Sequence, residues 1–202
     1  MYREESKLRK EDVALSNNIY QFLDENFYTT DNMSAFLRVL DKKRQIAGID
    51  VIFTMDGKQY IADEKAAVRY RNLKTYSLEL SFINRNNEVQ DGWLIKEGQL
   101  NNSYVFVWVD KDETTDRESV TLAVVTKEKL QKHLDSLGWT KENLRKKMNL
   151  IRESTGYVNM GNMYHDNCKF TYSQQLVEQP INILLPRDVY MKIADKVWTK
   201  EM

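Results

Sequence analysis

Gly48-Ile-Asp-Val-Ile-Phe-Thr-Met-Asp-Gly-Lys-Gln-Tyr-Ile-Ala-Asp-Glu-Lys65 is the stretch on which the reading of this chain turns. Two strand-like runs, Ile49–Met55 and Gln59–Ala67, flank Asp56-Gly57, the strongest short hairpin signal in the sequence. Pairing about that turn sets Asp50 almost opposite Asp63. Side chains alternate along a strand, so Asp63 and Lys65 share one face and Glu64 takes the other. The expectation is two carboxylates and an ammonium on one sheet face. Carboxylates so close repel unless a cation lies between them. Oxygen ligands without His or Cys suit Mg²⁺ or Mn²⁺. An ammonium beside such a site can orient an attacking water, which outlines phosphodiester hydrolysis.

Outward from the hairpin, residues 3–27 read as an amphipathic helix, with Leu8, Val13, Leu15, Ile19, Phe22 and Leu23 near helical spacing. Phe36–Leu40 is ambiguous between strand and helix. Thr75–Ile83 alternates as a strand, and Asn84–Asn87 reads as a turn. Ser103–Val109 and Val120–Val125 are strands, with the charged stretch Asp110–Glu118 as their loop. Thr126–Leu137 and Thr140–Ile151 read as helices, the first ended by Gly138. Residues 156–185 return to irregular and strand-like sequence. Pro186 opens a last expected helix, Arg187–Trp198. Helix, then strands, then helices describes a mixed α/β (α+β) chain with its sheet near the middle.

Composition narrows the classes. The 202 residues are 42% apolar and 30% charged, with only 2 prolines and 7 glycines, an ordinary globular balance rather than a disordered one. The single cysteine, Cys168, excludes a disulfide framework and a cysteine-based zinc site. Thirty basic residues balance thirty acidic ones, so any nucleic-acid-binding surface must be local. The first residues mix charges around no apolar core, so no secretory signal is expected. The longest apolar run, Tyr104–Val109, is far short of the about 20 residues of a membrane span. A cytoplasmic protein without a membrane partner is expected.

The hairpin motif resembles the PD-(D/E)xK nuclease superfamily, whose restriction-endonuclease-like core runs α-β-β-β-α-β. There an Asp ends one strand, and an Asp or Glu, any residue and a Lys follow on the next. Asp50, Asp63 and Lys65 stand at these positions, with Ile49 where a proline often precedes the first acid. The resemblance covers about residues 10–110 and implies a central mixed sheet flanked by helices. It implies a nuclease-like core over residues 1–126 and a helical and strand extension, 127–202, packed on the same domain. It further implies that Asp50, Asp63 and the Glu64 carbonyl bind Mg²⁺ or Mn²⁺, that Lys65 positions water, and that a helix acid completes the site, Glu25 or alternatively Asp41. Gln45 and Glu79 belong to the site in similar nuclease-like proteins. The implied activity is metal-dependent hydrolysis of DNA, with a homodimer as a possible assembly.

Two basic patches suit a phosphate backbone: Arg69, Tyr70, Arg71 and Lys74 just past the motif, and a lysine-rich region, 127–147, with Lys141, Arg145 and Lys146. Other readings stand beside these. Residues 127–147 read equally as a solvated helical face. Asp63-Glu-Lys65 can be an exposed strand with cross-strand ion pairs, Asp50 a turn residue, and the strand face of Glu79, Ser77 and Ser81 can be solvated. The chain is then a non-catalytic nucleic-acid-binding domain or a protein-interaction domain. His133 reads as an exposed helix residue and His165-Asp-Asn-Cys168 as a polar loop. Gly156…Gly161 lacks the Lys-Ser/Thr of a phosphate-binding loop.

Overall fold

The structure is a computed structural model that describes residues 2–153 and 169–202, with side chains from Ala14 onward. The polar loop at His165–Cys168 and the Gly156…Gly161 segment lie outside the described residues. The chain forms two compact units, each assembled from separated stretches. The first comprises Met1–Leu73, Leu100–Lys127 and Ala194–Met202; the second comprises Lys74–Gln99 and Glu128–Ile193.

The first unit holds helix α1 (Tyr2–Asn26), strand β1 (Met33–Arg38), the short helix α2 (Lys42–Ile46), and strands β2 (Val51–Met55) and β3 (Lys58–Ala67). Its other strands are β6 (Ser103–Lys111), β7 (Glu118–Thr126) and β10 (Lys196–Glu201). The six form one mixed sheet in the order β1-β2-β3-β6-β7-β10. Every neighbouring pair is antiparallel except β3 and β6, which run parallel. The link from β3 to β6 contains no helix: it carries β4 (Thr75–Ile83) and β5 (Val89–Asp91) of the second unit.

Turn chemistry sets the β2–β3 register. Asp56 and Gly57 both take positive φ, 50° and 77°, which matches the right-handed twist of the flanking strands. Val51 therefore pairs with Ala62, and Met55 with Lys58. Val51, Phe53 and Met55 of β2, Tyr60 and Ala62 of β3, and Val105, Val107 and Val109 of β6 form one core with Ile19, Leu23, Phe27 and Tyr28. α1 thus covers one face of the sheet.

The second unit is a four-stranded antiparallel sheet, β5-β4-β9-β8, with β8 at Lys169–Tyr172 and β9 at Ile181–Pro186. Its described helices are α3 (Lys127–Ser136), which begins at the unit boundary, α4 (Lys141–Glu153) and α5 (Arg187–Ile193). Gly138, at φ 77°, stops α3 while the Trp139 N–H returns to the Leu134 carbonyl at 2.8 Å. The Thr140 hydroxyl caps α4 by accepting the Asn143 N–H at 3.2 Å.

One element departs from the sequence reading. The expected helix Arg187–Trp198 stops at Ile193, and Lys196–Glu201 continues as an edge strand beside β7, with Trp198 opposite Leu122. Val197, Trp198 and Thr199 are β-formers, and an open sheet edge offers their backbone partners that a solvated helix end lacks. No described helix is long and apolar enough to cross a membrane.

Candidate active site at the β2–β3 hairpin

Asp50 immediately precedes β2, and Asp63 and Lys65 lie on β3. The ladder ends at Val51–Ala62; the Asp50 N–H also turns to the Ala62 carbonyl, at 2.9 Å, and this brings its carboxyl near Asp63. The odd-numbered residues of β2 and even-numbered residues of β3 face the α1 core, so Asp63 and Lys65 share the opposite face, while Asp50, ahead of the paired residues, is near Asp63 and also lines a cavity on the α1 side. Lys65 Nζ lies 2.8 Å from the Asp63 carboxylate, and the two aspartates are within hydrogen-bonding reach of each other. The backbone N–H of Glu64 donates to the Asp50 carboxylate at 2.9 Å. A strand edge amide therefore holds the first acid against the second.

Asp63 is 6% exposed. Burial pushes its carboxyl up to about 7; Lys65 pulls the value down, and Asp50 raises it again. At neutral pH the pair is poised to share a proton or to accept a cation. Among the described residues no group of three His, Cys, Asp or Glu side chains stands ready for a metal. The donors present, two adjacent carboxylates beside an ammonium, do fit a hard divalent cation that keeps much of its water shell. Asp50 and Asp63 are the residues that would hold it.

Glu64 points the other way, as alternation requires. Its carboxylate is buried and accepts from the Tyr28 hydroxyl at 2.7 Å and from Arg38 Nη1 at 2.5 Å. Burial raises its carboxyl, opposed by Arg38 and Tyr28. Arg38 also binds Asp24 of α1, through Nε at 2.7 Å, and stacks near the rings of Tyr20 and Phe36. Burial alone lowers the Arg38 value, but the hydrogen bonds to Asp24 and Glu64 outweigh it and leave it raised. The guanidinium therefore stays charged and ties β1, β3 and α1 together.

A cavity of about 400 Å³ opens beside this network. α1 contributes Asn17, Tyr20, Gln21 and Asp24 to its wall; Arg38, Gln45, Asp50 and Glu64 complete the polar part. Asp50 is thus common to the cavity and to the aspartate pair.

The remaining expected residues are distributed as follows. Gln45, at the end of α2, lines the cavity, and its amide donates to the Val39 carbonyl at 3.0 Å. Glu25 is exposed, bonded to Gln21 at 2.9 Å, and is not part of the cavity wall; the helix acid that reaches it is Asp24. Leu23 faces the core, and two residues further along a helix turn about 200°, so Glu25 faces away. Asp41 caps α2 by accepting the Arg44 N–H at 2.8 Å. Glu79 lies on β4 in the second unit, at a β-bulge opposite Asn182 of β9.

The basic residues divide in the same way. Arg71 is engaged by Glu118 at 2.6 Å and by the Val68 carbonyl, and Arg145 by Asp91 at 2.8 Å. Lys146 pairs with Glu142 at 2.6 Å. Arg69, Lys74 and Lys141 are exposed.

Arg38, Asp24 and Tyr28 were not legible as site residues. Their signal was faint: one arginine within the apolar run Phe36–Leu40, and an acid and a tyrosine each one position past the buried stripe Leu23–Phe27. No family model matches the chain, and no curated protein or solved structure does either.

Proposed function

We propose that the chain is a metal-dependent nuclease of PD-(D/E)xK type, acting on DNA. The observation that carries this reading is the proximity of Asp50 to Asp63, with Lys65 paired to Asp63 at 2.8 Å. The order of elements adds support. A helix precedes three antiparallel strands, the paired acids lie at the second and third, and a strand parallel to the third follows. The chain departs from the superfamily core where β4 and β5 replace the helix between the parallel strands.

Asp50 and Asp63 would hold a divalent cation, which would supply charge to offset that of the phosphate and make water more acidic. The chain's own groups do the rest. The Glu64 N–H fixes Asp50. Lys65, anchored to Asp63, presents an ammonium beside the reacting phosphate, where it can orient water and neutralise developing charge. Burial of Asp63 keeps bulk water from screening these charges. Exposed Arg69 and Tyr70, just past β3, suit a phosphate and a base.

A second reading is favoured by one observation. The Glu64 and Asp24 carboxylates are both occupied by Arg38, so among the described residues lining the cavity no third acid is open to a metal. A nuclease-like domain that binds nucleic acid without cutting it fits that arrangement. The deciding experiment combines nicking of supercoiled plasmid and degradation of linear and single-stranded DNA, in Mg²⁺ or Mn²⁺, with calorimetric metal titration. The nuclease reading expects cleavage that Asp63→Asn abolishes together with metal binding. Salt-dependent DNA binding without cleavage selects the second reading.

A further inference from the structure

We infer that the cavity beside Asp50 receives one unpaired nucleotide of the substrate, so that the enzyme works at single-stranded segments or frayed ends rather than within intact duplex. This rests on the nuclease reading, since it is Asp50 that joins the cavity to the aspartate pair. A phosphate held at Asp50, Asp63 and Lys65 has the neighbouring nucleoside at the cavity mouth.

Size and chemistry both point to a nucleobase. A volume of about 400 Å³ is at the small end of ligand pockets, which run about 300–1,000 Å³; it holds one nucleoside and not a base pair. The charged groups of the wall are engaged within it, although three carboxylates against one guanidinium leave it net negative. Arg38 takes up Asp24 and Glu64, and Asp50 is held by a backbone amide. Beside these groups the wall carries uncharged side chains with donors and acceptors: the Asn17 amide, the Tyr20 hydroxyl, and the Gln21 and Gln45 amides, whose nitrogens also donate to Glu25 and the Val39 carbonyl. Burial, with Glu64 and the two aspartates, raises the Tyr20 phenol, so it stays a protonated donor. With no unpaired basic group in the polar wall, a free phosphate is disfavoured inside. A base edge, which carries donors and acceptors together, matches these groups, and the Tyr20 ring adds an aromatic surface of the kind that holds unstacked bases.

The test separates the pocket from the chemistry. Deoxynucleosides are titrated into the full chain in EDTA, so that neither metal nor turnover is involved, and amide NMR shifts are followed. The expected result is saturable shifts in α1 and around Gln45. Asn17→Trp, at an exposed helix position on the cavity wall, should weaken binding at least tenfold with an unchanged melting temperature. In parallel, duplexes with and without unpaired tails are compared in Mg²⁺. Tailed substrates should be cut at least tenfold faster, and Asn17→Trp should erase the difference. Absence of nucleoside shifts, or putrescine binding in their place, overturns the inference. So does equal cleavage of blunt and tailed duplex, which leaves the nuclease reading intact. Nucleoside binding without any cleavage instead retires the nuclease reading and keeps the pocket as a nucleoside site.

Discussion

The Asp50 carboxylate accepts the backbone N–H of Glu64 at 2.9 Å, while the Glu64 side chain, on the sheet face away from Asp63 and Lys65, meets Tyr28 and Arg38. One residue of β3 therefore serves both the candidate site and the α1 core. Its amide positions the acid of the candidate site, and its carboxylate anchors α1 and β1.

That amide needs its acceptor. Asp50→Ala leaves a donor on a partly buried strand without a partner and should cost about 1–3 kcal/mol. Asp50→Asn keeps an oxygen for the Glu64 N–H and removes the repulsion on Asp63. Urea denaturation in EDTA should find Asp50→Asn at least as stable as wild type, and clearly more stable than Asp50→Ala.

The buried charge network should be intolerant of losing one partner. Arg38→Met strands the Glu64 carboxylate, whose side chain is fully buried, with only the Tyr28 hydroxyl. Loss of one member of a buried pair costs about 3–5 kcal/mol. Adding Glu64→Gln removes the stranded charge and should recover a large part of that loss. A double-mutant cycle in which the two costs simply add contradicts the network.

Asp63 predicts a pH dependence of stability. Its folded-state value, about 7, is raised above the ordinary 3.8, so the native state holds a proton that the unfolded chain releases. The stabilisation is complete below about pH 4 and is lost as the pH rises through about 7. Thermal unfolding in EDTA should show wild type losing stability across that window relative to Asp63→Asn. Millimolar Mg²⁺ should restore stability at the upper end by mass action; an indifferent melting temperature argues against a cation at this pair.

Lys65→Ala separates a positioning ammonium from a structural ion pair. Cleavage should fall to background, while metal affinity is kept or rises, because a positive charge leaves the vicinity of the ligands. A parallel fall in stability and metal binding, matching Asp63→Asn, would falsify the catalytic assignment.

In the second unit, Gly92 tests a close approach. A Cβ there would press into the Glu79 backbone carbonyl and come within 2.7 Å of Glu79 Cγ, beside the β4 bulge. Gly92→Ala should destabilise by about 1–3 kcal/mol, measured by denaturant unfolding, because backbone must shift to admit it.

Short-range chemistry was legible in the sequence, and with it the faces of β3. Asp56-Gly57 defines a two-residue turn that pairs Val51 with Ala62, and alternation puts Asp63 and Lys65 on one face without any distant contact. The amphipathic helix α1 and strands β4, β6 and β7 follow from equally local patterns.

Tertiary structure decided the rest, because those features depend on partners far along the chain. Lys196–Glu201 is a strand only because β7 offers an open edge some 70 residues earlier, and Asp195, between α5 and β10, is fixed by Lys58 and Tyr60 at 2.7 and 2.8 Å. Asp24 and not Glu25 reaches the cavity because packing of Leu23 and Phe27 sets the rotation of α1. Arg38 became the centre of a buried network only when β1 took the sheet edge beside β2. A turn and an alternation act within about a dozen residues, so sequence alone determines them. Edge pairing, helix rotation and the partner of a buried charge are properties of the assembled core.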